Sequence, residues 1–449
     1  MPEGSRKIFR SLLTAGLGVA LGTLLGRASG FVREVFIASN FAASHQADLA
    51  VLVLTVPDFL IALITGEALG MVLIPEFKQL AAGESWGAFV RFFWMVGVGA
   101  CALSLVLFIF PISLVDIFAP GLSNESHPQA VDLFKTVIWV LPLTMLASVT
   151  TAYLQAQHRF WLPALGNLFF NISLILCLLG IFGPAKLTLL PLAVLIGGGL
   201  RLFTQLIHVF SIQVKPRFVG SYRPDRWVIF RYLNALAAGV MLVFLYIAAR
   251  RYASYGPVGS LALYNYASKL VELPVGGGLI VFSTVLFPKL SEYFVSSETH
   301  REGFEIARAA LKLMALASVI LAVILMILCL YLSQKNLSWR GLTPAQLNQI
   351  FRMAAIGLCG LPAQGLTYIT TAILNARRDI GILLYSGLLA LVVFFPIGWS
   401  LQQSLGLTGI FLSLVIVFYL NLALHLISLK RRYSFDLFAK STVSAKIER

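Results

Sequence analysis

Residues 11–39 read SLLTAGLGVALGTLLGRASGFVREVFIAS, an apolar run that carries charged side chains in its second half. A membrane-spanning helix needs about 20 mostly apolar residues, so this run is long enough to cross a bilayer. Its charged residues are Arg27, Arg33 and Glu34. Because ionisable groups inside a bilayer are energetically expensive, they usually mark a pathway or a binding site. The stretch therefore indicates a membrane helix with a function beyond anchoring.

The composition of the whole chain has the same bias. Of its 449 residues, 59% are hydrophobic and 12% are charged, about half of the roughly 25% charged residues of soluble domains. The bilayer must therefore be part of the solvent, and disordered, collagen-like and disulfide-rich secreted classes are excluded. The four cysteines and six histidines are scattered along the chain, so we expect no metal site.

About twelve segments are apolar and long enough to span a bilayer. They fall near residues 11–39, 47–76, 88–118, 129–157, 162–184, 187–213, 229–253, 258–288, 308–333, 348–376, 381–402 and 406–430. We therefore predict an all-α fold, a polytopic membrane protein of about twelve transmembrane helices.

The formal net charge is +15, with 34 Lys and Arg residues against 19 Asp and Glu. Most of the cations fall at the N-terminus, in every second loop and in the C-terminal tail. Cytoplasmic loops collect Lys and Arg, so this alternation predicts that both termini are cytoplasmic. Topology thus explains most of the charge, and nucleic acid is not needed as a partner.

A short motif recurs in the chain. Residues 151–159 read TAYLQAQHR and residues 371–379 read TAILNARRD, at an offset of 220. The tripeptide LIP at 73–75 similarly returns as LFP at 286–288. Internal repeats of this kind are typical of transporters. We therefore predict two six-helix halves with a linker and a basic cytoplasmic tail: 1–213, the cytoplasmic linker 214–228, 229–430 and the tail 431–449.

The candidates for a binding site are the ionisable residues at membrane depth. The cations are Arg27, Arg33, Arg201 and Lys269, and the acids are Glu34, Asp48, Asp58, Glu67 and Glu272. Lys269 and Glu272 have the i,i+3 spacing of an ion pair on one helix face, and such a pair need not bind anything. A cationic excess between two membrane-embedded halves suits an anionic substrate, and a lipid-linked diphosphate would fit.

Glycines interrupt two of the predicted helices. Gly18, Gly22, Gly26 and Gly30 recur at every fourth position of the first helix, a pattern typical of close helix packing. Residues 274–278 read PVGGG directly after Lys269 and Glu272. Irregular backbone at membrane depth is tolerated where it faces protein or a watery cavity, so we expect this break beside the charged pair.

Several of these stretches in combination resemble the MurJ (MviN) family, the lipid II flippases of the MOP exporter superfamily. The matching motifs are GRASGFVRE at 26–34, AD at 47–48, PDFL at 57–60, GEA at 66–68, IP at 74–75, YASKLVELP at 266–274 and LFP at 286–288. The resemblance implies a non-enzymatic, alternating-access flippase for an undecaprenyl-diphosphate-linked saccharide in the bacterial inner membrane. It implies no cofactor, although a coupling ion or the membrane potential could return the empty carrier. Besides the lipid-linked saccharide and membrane lipids, cell-envelope biosynthesis proteins are possible partners.

Site residues can be carried over by position. The resemblance implies that Arg27, Arg33, Arg250 and Lys269 line the cavity, where they would hold the diphosphate, and that Asp48 is the family's acid after the first helix. We expect Asp48 and Glu272 to orient these cations or to bind sugar. Secondary candidates are Glu34, Asp58, Glu67 and Arg201.

The chain also departs from the family pattern. The family's arginine pair in helix two is Ile61-Ala62 here, its Asp-Arg in helix eight is Ser268-Lys269, and the Asp before Arg250 is Ala249. A flippase for a lipid-linked exopolysaccharide or capsule repeat unit is therefore an alternative. Two others are a cation-coupled multidrug exporter and a membrane polymerase or ligase acting on lipid-linked sugars. The enzymes usually need a large outer loop, and no predicted loop exceeds about 20 residues.

Overall fold

The computed structural model describes residues 3–64, 68–181, 186–212, 243–279, 282–283, 286, 290, 292–294, 300–377, 379–433 and 435, with side chains from residue 21 onward. The predicted linker 214–228, residues 229–242 of the seventh segment, Glu67 and tail residues 436–449 lie outside the described residues.

The described residues form helices joined by short turns, with no β-strand among them. In chain order these are α1 (Glu3–Phe41), α2 (His45–Ile64), α3 (Ala68–Gln79), α4 (Ala82–Ile109), α5 (Pro111–Phe118), α6 (Ser126–Val137), α7 (Val140–Ala156), α8 (Trp161–Ala164), α9 (Gly166–Leu178), α10 (Leu190–Phe210), α11 (243–254), α12 (Ser260–Pro274), α13 (His300–Ser333), α14 (Pro344–Leu358), α15 (Leu361–Ala376), α16 (Ile380–Leu405) and α17 (Leu407–Tyr433). The predicted all-α class is confirmed.

Eight stretches of the described chain are long and apolar enough to cross a membrane. They are His45–Ala62, Gly83–Ile109, Ser126–Ala156, Trp161–Leu178, Leu187–Phe210, His300–Ser333, Gly381–Leu405 and Leu407–Tyr433. Each overlaps one of the twelve predicted segments. The total of twelve and the cytoplasmic side of both termini stay predictions.

Three predicted single helices are broken near prolines. Segment 129–157 divides at Ile138 and Trp139, and Pro142 lies in the first turn of α7. Segment 88–118 divides at Phe110, and Pro111 begins α5. Segment 348–376 divides after Leu358, and Pro362 lies in the first turn of α15. Proline has no backbone N–H to donate, which is harmless in the first turn of a helix but breaks a helix interior. Hydropathy alone does not reveal such breaks, because both pieces are equally apolar.

The exposed faces of the long helices are apolar. On α13 the side chains of Leu316, Ile320, Ile324 and Ile327 are each at least half exposed. Their spacing of three or four residues aligns them as one stripe along the helix. A continuous exposed stripe of this length would be unstable in water, whereas lipid tails solvate it. These surfaces identify a multi-pass membrane protein.

The chain divides into two compact units. The first unit comprises residues 1–265 with 339–342, and the second comprises 266–338 with 343–449. In the first unit, α3, α4 and α7 pack around an aromatic core that includes Phe77, Phe89 and Tyr153. In the second unit, α13, α15 and α17 surround a core formed by residues such as Leu311, Met314 and Ile373. The predicted division into halves at 214–228 stays a prediction.

The repeated motif ends a helix in the same way in both units. In the first copy the N–H of Arg159 donates to the carbonyl of Leu154, with an N···O distance of 2.8 Å. In the second copy the N–H of Asp379 donates to the carbonyl of Leu374 at 2.9 Å. Both bonds span five residues, as in the reverse turns that close helix C-termini. The sequence repeat thus corresponds to a repeated local structure.

A buried polar pair recurs at the same offset of 220 residues. In the first unit the hydroxyl of Thr150 donates to Oε1 of Gln205, at 2.6 Å. In the second unit Oγ1 of Thr370 lies 2.9 Å from Nδ1 of His425. Each pair joins the helix with the motif to another helix of its own unit, α10 or α17. Because buried polar groups in a membrane need partners, the recurrence supports an internal duplication.

The glycine stripe of α1 lies against α8 and α9. A Cβ atom added at Gly22 would lie 2.6 Å from Cβ of Ala164, and one added at Gly26 would lie 3.1 Å from Cβ of Asn167. At Gly30 the nearest atom is Nδ2 of Asn171, at 3.4 Å. The small residues therefore allow the close helix packing that their spacing predicts.

We expect Gly22→Ala to lower the free energy of unfolding by about 1–3 kcal/mol, because the added methyl overpacks the contact between α1 and α8. Thermal unfolding of the purified protein in detergent measures this loss. Gly99→Ala is the matched control, since a Cβ at Gly99 meets no atom within 4 Å. Equal melting temperatures for the two variants would show that α1 tolerates the methyl.

Candidate functional site

The second half of α1 carries a buried ion pair. Nη2 of Arg33 lies 2.7 Å from Oε1 of Glu34, and both side chains are at most 8% exposed. Nη1 of Arg33 also donates to Oδ1 of Asn171 on α9, at 3.1 Å. The amide of Asn171 donates in turn to the carbonyl of Gly26 and to the hydroxyl of Ser29, both at 3.0 Å. These bonds fix Arg33 between α1 and α9.

The ion pair extends to α11 and α12 through a second asparagine. Nδ2 of Asn265 donates to Oε2 of Glu34 at 2.9 Å, and Oδ1 of Asn265 accepts from Nη2 of Arg250 at 3.1 Å. Asn265 is fully buried and Arg250 is 5% exposed. One hydrogen-bonded group therefore joins Arg33, Glu34 and Arg250, three of the residues singled out from the sequence.

Arg250 is held by aromatic rings as well as by the amide. Its Cζ lies 4.8 Å from the ring centroid of Phe59 on α2 and 6.0 Å from that of Tyr264. A guanidinium over an aromatic face is attracted by the ring's quadrupole, most strongly where water is excluded. The buried Nε of Arg250 has no hydrogen-bond partner among the described residues.

Arg250 is the cation of this group that has no acidic partner among the described residues. Arg33 is paired with Glu34, whereas Arg250 contacts only the amide of Asn265 and two aromatic rings. A buried charge without a counter-charge is costly, since the protein interior and the bilayer have low dielectric constants. An arrangement with an excess cation is therefore suited to receive an anion.

Asp48 accepts two backbone hydrogen bonds at the start of another helix. Its Oδ2 accepts from the N–H of Gly259 at 2.7 Å and its Oδ1 from the N–H of Ala262 at 2.8 Å. The carboxylate thus caps the start of α12, where backbone N–H groups lack helical partners. Gly259 has a φ of 88°, a left-handed conformation that favours glycine. Asp48 therefore orients the helix that carries Asn265.

Lys269 and Glu272 form the ion pair that their spacing predicts. Nζ of Lys269 lies 2.6 Å from Oε2 of Glu272, and the two side chains are 25% and 41% exposed. The helix ends at Pro274, and residues 275–279 form a π-helical turn. The predicted break therefore follows the charged pair directly in the chain. Both side chains are more accessible than the buried arginines of the first unit.

The remaining candidates are less closely connected. Arg27 is partly exposed on α1 and makes no described hydrogen bond to the buried group. Asp58 on α2 is exposed, and its carboxylate acts electrostatically on Arg201 of α10. The side chain of Arg201 lies along Gly166, whose added Cβ would be 2.9 Å from Nε of Arg201. Glu67 lies outside the described residues.

Four residues of the site were not predicted from the sequence. Asn171 and Asn265 bridge the charged groups, and Phe59 and Tyr264 face the guanidinium of Arg250. The asparagines had a detectable signal, because an amide within an apolar membrane segment is costly unless it has a partner. The aromatic residues had none, since Phe and Tyr are abundant throughout the chain. No group of three or more potential metal-ligating side chains occurs in the described part of the chain.

We expect Asp48→Ala to lower the free energy of unfolding by about 1–2 kcal/mol, because two N–H groups at the start of α12 lose their acceptor. Asp48→Asn should lose less, since its amide oxygen still accepts one hydrogen bond. Thermal unfolding in detergent compares the three proteins. Wild-type stability in Asp48→Ala would contradict the capping role.

Comparison with known proteins places the chain among transporters. A curated relative, the probable lipid II flippase MurJ of Thermotoga maritima, is 24% identical over 433 residues, which is 96% of this chain and 88% of the relative. The matches to the next three curated relatives span 57% to 61% of their lengths.

Solved structures share the fold. A lipid II flippase MurJ in an inward closed conformation matches with a TM-score of 0.75 and 18% identity, over 92% of this chain and 87% of that one. An inward-facing multidrug resistance MATE family transporter of the MOP superfamily matches with a TM-score of 0.70 and 14% identity, over 94% and 98%. Finally, the family model of the lipid II flippase MurJ matches residues 37–447. The chain therefore belongs to the MurJ family.

Proposed function

We propose that this protein is a flippase that moves an undecaprenyl-diphosphate-linked saccharide from the inner to the outer leaflet of the bacterial inner membrane. The substrate is lipid II or a related lipid-linked oligosaccharide. Transport proceeds by alternating access, and the protein makes or breaks no covalent bond in its substrate. Membership of the MurJ family and the names of its relatives support this function.

The observation that carries the proposal is the buried cationic group on α1, α11 and α12. The diphosphate of such a lipid cannot cross a bilayer unaided, because its charge is costly in hydrocarbon. Arginine neutralises phosphate oxygens with paired, charge-assisted hydrogen bonds. The positive charge of Arg250, whose described partners are uncharged, is therefore of the sign that a diphosphate requires.

The accessible and the buried cations have different roles in this proposal. Arg27 and Lys269 are reachable and meet the diphosphate first. Arg33 and Arg250 are buried and become available when the helices around them rearrange during alternating access. Glu272 releases Lys269 to the substrate or accepts a hydrogen bond from a sugar hydroxyl.

Two alternatives to lipid II differ in chemistry. Ala249 and Ser268 stand where the family pattern has aspartates, which favours a related lipid-linked saccharide such as an exopolysaccharide or capsule unit. Multidrug transporters share the fold, but a cation-coupled exporter of cationic drugs requires an acidic cavity. The described cations of the site favour an anionic substrate instead.

We expect Arg27→Ala and Lys269→Ala each to reduce transport at least tenfold, because each removes a cation that meets the diphosphate, a loss of about 1.4 kcal/mol or more. Proteoliposomes containing the full chain and fluorescent lipid II measure transport as the dye becomes accessible to an added quencher. A fluorescent undecaprenyl-diphosphate-linked exopolysaccharide unit, assayed in parallel, distinguishes the two saccharide classes.

Lys335→Ala is the matched control, since it removes an exposed lysine whose Nζ lies over the ring of Tyr331, at 4.6 Å. Unchanged transport in both Arg27→Ala and Lys269→Ala would contradict the site assignment. Transport of neither lipid by wild-type protein would contradict the proposed function.

A further inference from the structure

The partners that hold Arg250 are all uncharged. Its guanidinium donates to the amide oxygen of Asn265 and faces the rings of Phe59 and Tyr264. No carboxylate lies within ion-pair distance of Arg250 in the part of the chain that the structure describes. A buried arginine is usually paired with an acid, because an unpaired charge in a low-dielectric interior is costly. The positive charge of Arg250 is therefore only partly compensated, by the amide dipole of Asn265 and the two aromatic rings.

Asn265 has its orientation imposed by Glu34. Its Nδ2 must face the carboxylate, because only the NH₂ end of the amide can donate to it. The oxygen end of the same amide therefore points to Arg250. The amide fixes the position of the guanidinium without cancelling its charge.

Phe59 covers the guanidinium from α2. Its ring is partly exposed, and the preceding residue, Asp58, is exposed. The ring also lies 6.2 Å from that of buried Phe118, with an interplanar angle of 14°. Phe59 is thus a partly exposed residue whose ring contacts both the buried guanidinium of Arg250 and the ring of Phe118.

We propose that Phe59 and Asn265 are positioning residues that keep Arg250 charged and oriented in the unloaded transporter, and that the diphosphate of the substrate replaces the ring of Phe59. This inference rests on the proposed function. The ring supplies a weak, hydrogen-bond-free interaction, whereas a phosphate supplies charge and acceptors for the guanidinium. The exchange therefore favours the loaded state, and return of the ring favours release.

The two residues have opposite expected effects on binding. Phe59→Leu removes the competing ring and should tighten binding of undecaprenyl diphosphate. The dissociation constant should fall by roughly five- to thirtyfold, which is the interaction energy of a desolvated cation–π contact converted into affinity. Asn265→Asp adds a carboxylate beside Arg250 and should weaken binding at least tenfold, because the cation then has an internal counter-charge. A merely structural role predicts weaker binding for both variants.

The experiment measures binding of undecaprenyl diphosphate to the purified full chain in detergent by native mass spectrometry. Phe59→Trp should restore wild-type affinity, since it restores an aromatic face. Phe118→Leu is the matched control, because it removes a ring that contacts Phe59 and not Arg250. Melting temperatures establish that each variant is folded. If Asn265→Asp does not fold, the set of Phe59 variants decides.

Inorganic pyrophosphate, used as a second probe, separates this inference from the proposed function. Opposite shifts for both probes support the inference. Opposite shifts for pyrophosphate alone, with no binding of the lipid, support it while contradicting the proposed function. Binding of the lipid with equal affinity in all variants, or with weaker affinity in Phe59→Leu, overturns the inference and leaves the function standing. Absence of binding of both probes to wild-type protein overturns both.

Discussion

A guanidinium at membrane depth must be solvated by the protein itself, and this constraint explains much of the first unit. Arg33 and Arg250 belong to helices that are far apart in sequence. Both reach Glu34, one directly and the other through Asn265. Because each bond requires a particular approach of α1, α9, α11 and α12, the polar group fixes how these helices meet. Apolar packing alone would leave their register less defined, since lipid tails compete equally well for apolar side chains.

Small residues and caps make this close approach possible. Gly22 and Gly26 remove the side chains that would separate α1 from its neighbours. The carboxylate of Asp48 accepts hydrogen bonds from backbone N–H groups at the start of α12. These bonds fix the part of that helix that carries Asn265, about one turn further along. Residues far from the arginines thus determine where the arginines lie. In the second unit a buried polar side chain also joins helices, since His425 of α17 contacts Thr370 of α15 and Ser386 of α16 through its two ring nitrogens.

The fold was largely readable from the sequence because hydropathy reports on the solvent that each segment meets. Eight predicted segments correspond to apolar spans, and the motif at 151–159 and 371–379 ends a helix in both units. The breaks near Pro111, Pro142 and Pro362 were missed, since apolar residues continue on both sides. The i,i+3 pair of Lys269 and Glu272 was predicted correctly because both partners lie on one helix, where local geometry is known in advance.

The sequence by itself determined that the protein crosses a membrane and which ionisable residues lie within the apolar segments, whereas the sorting of its charges by topology stays a prediction. It did not decide what those residues do. The carboxylate of Asp48, a candidate ligand, caps a helix, while Asn265 and Phe59, which are uncharged, hold Arg250. Tertiary structure decides such roles because the energy of a buried charge depends on neighbours that come from other helices. Because these neighbours are far apart in sequence, no local sequence pattern indicates that they come into contact.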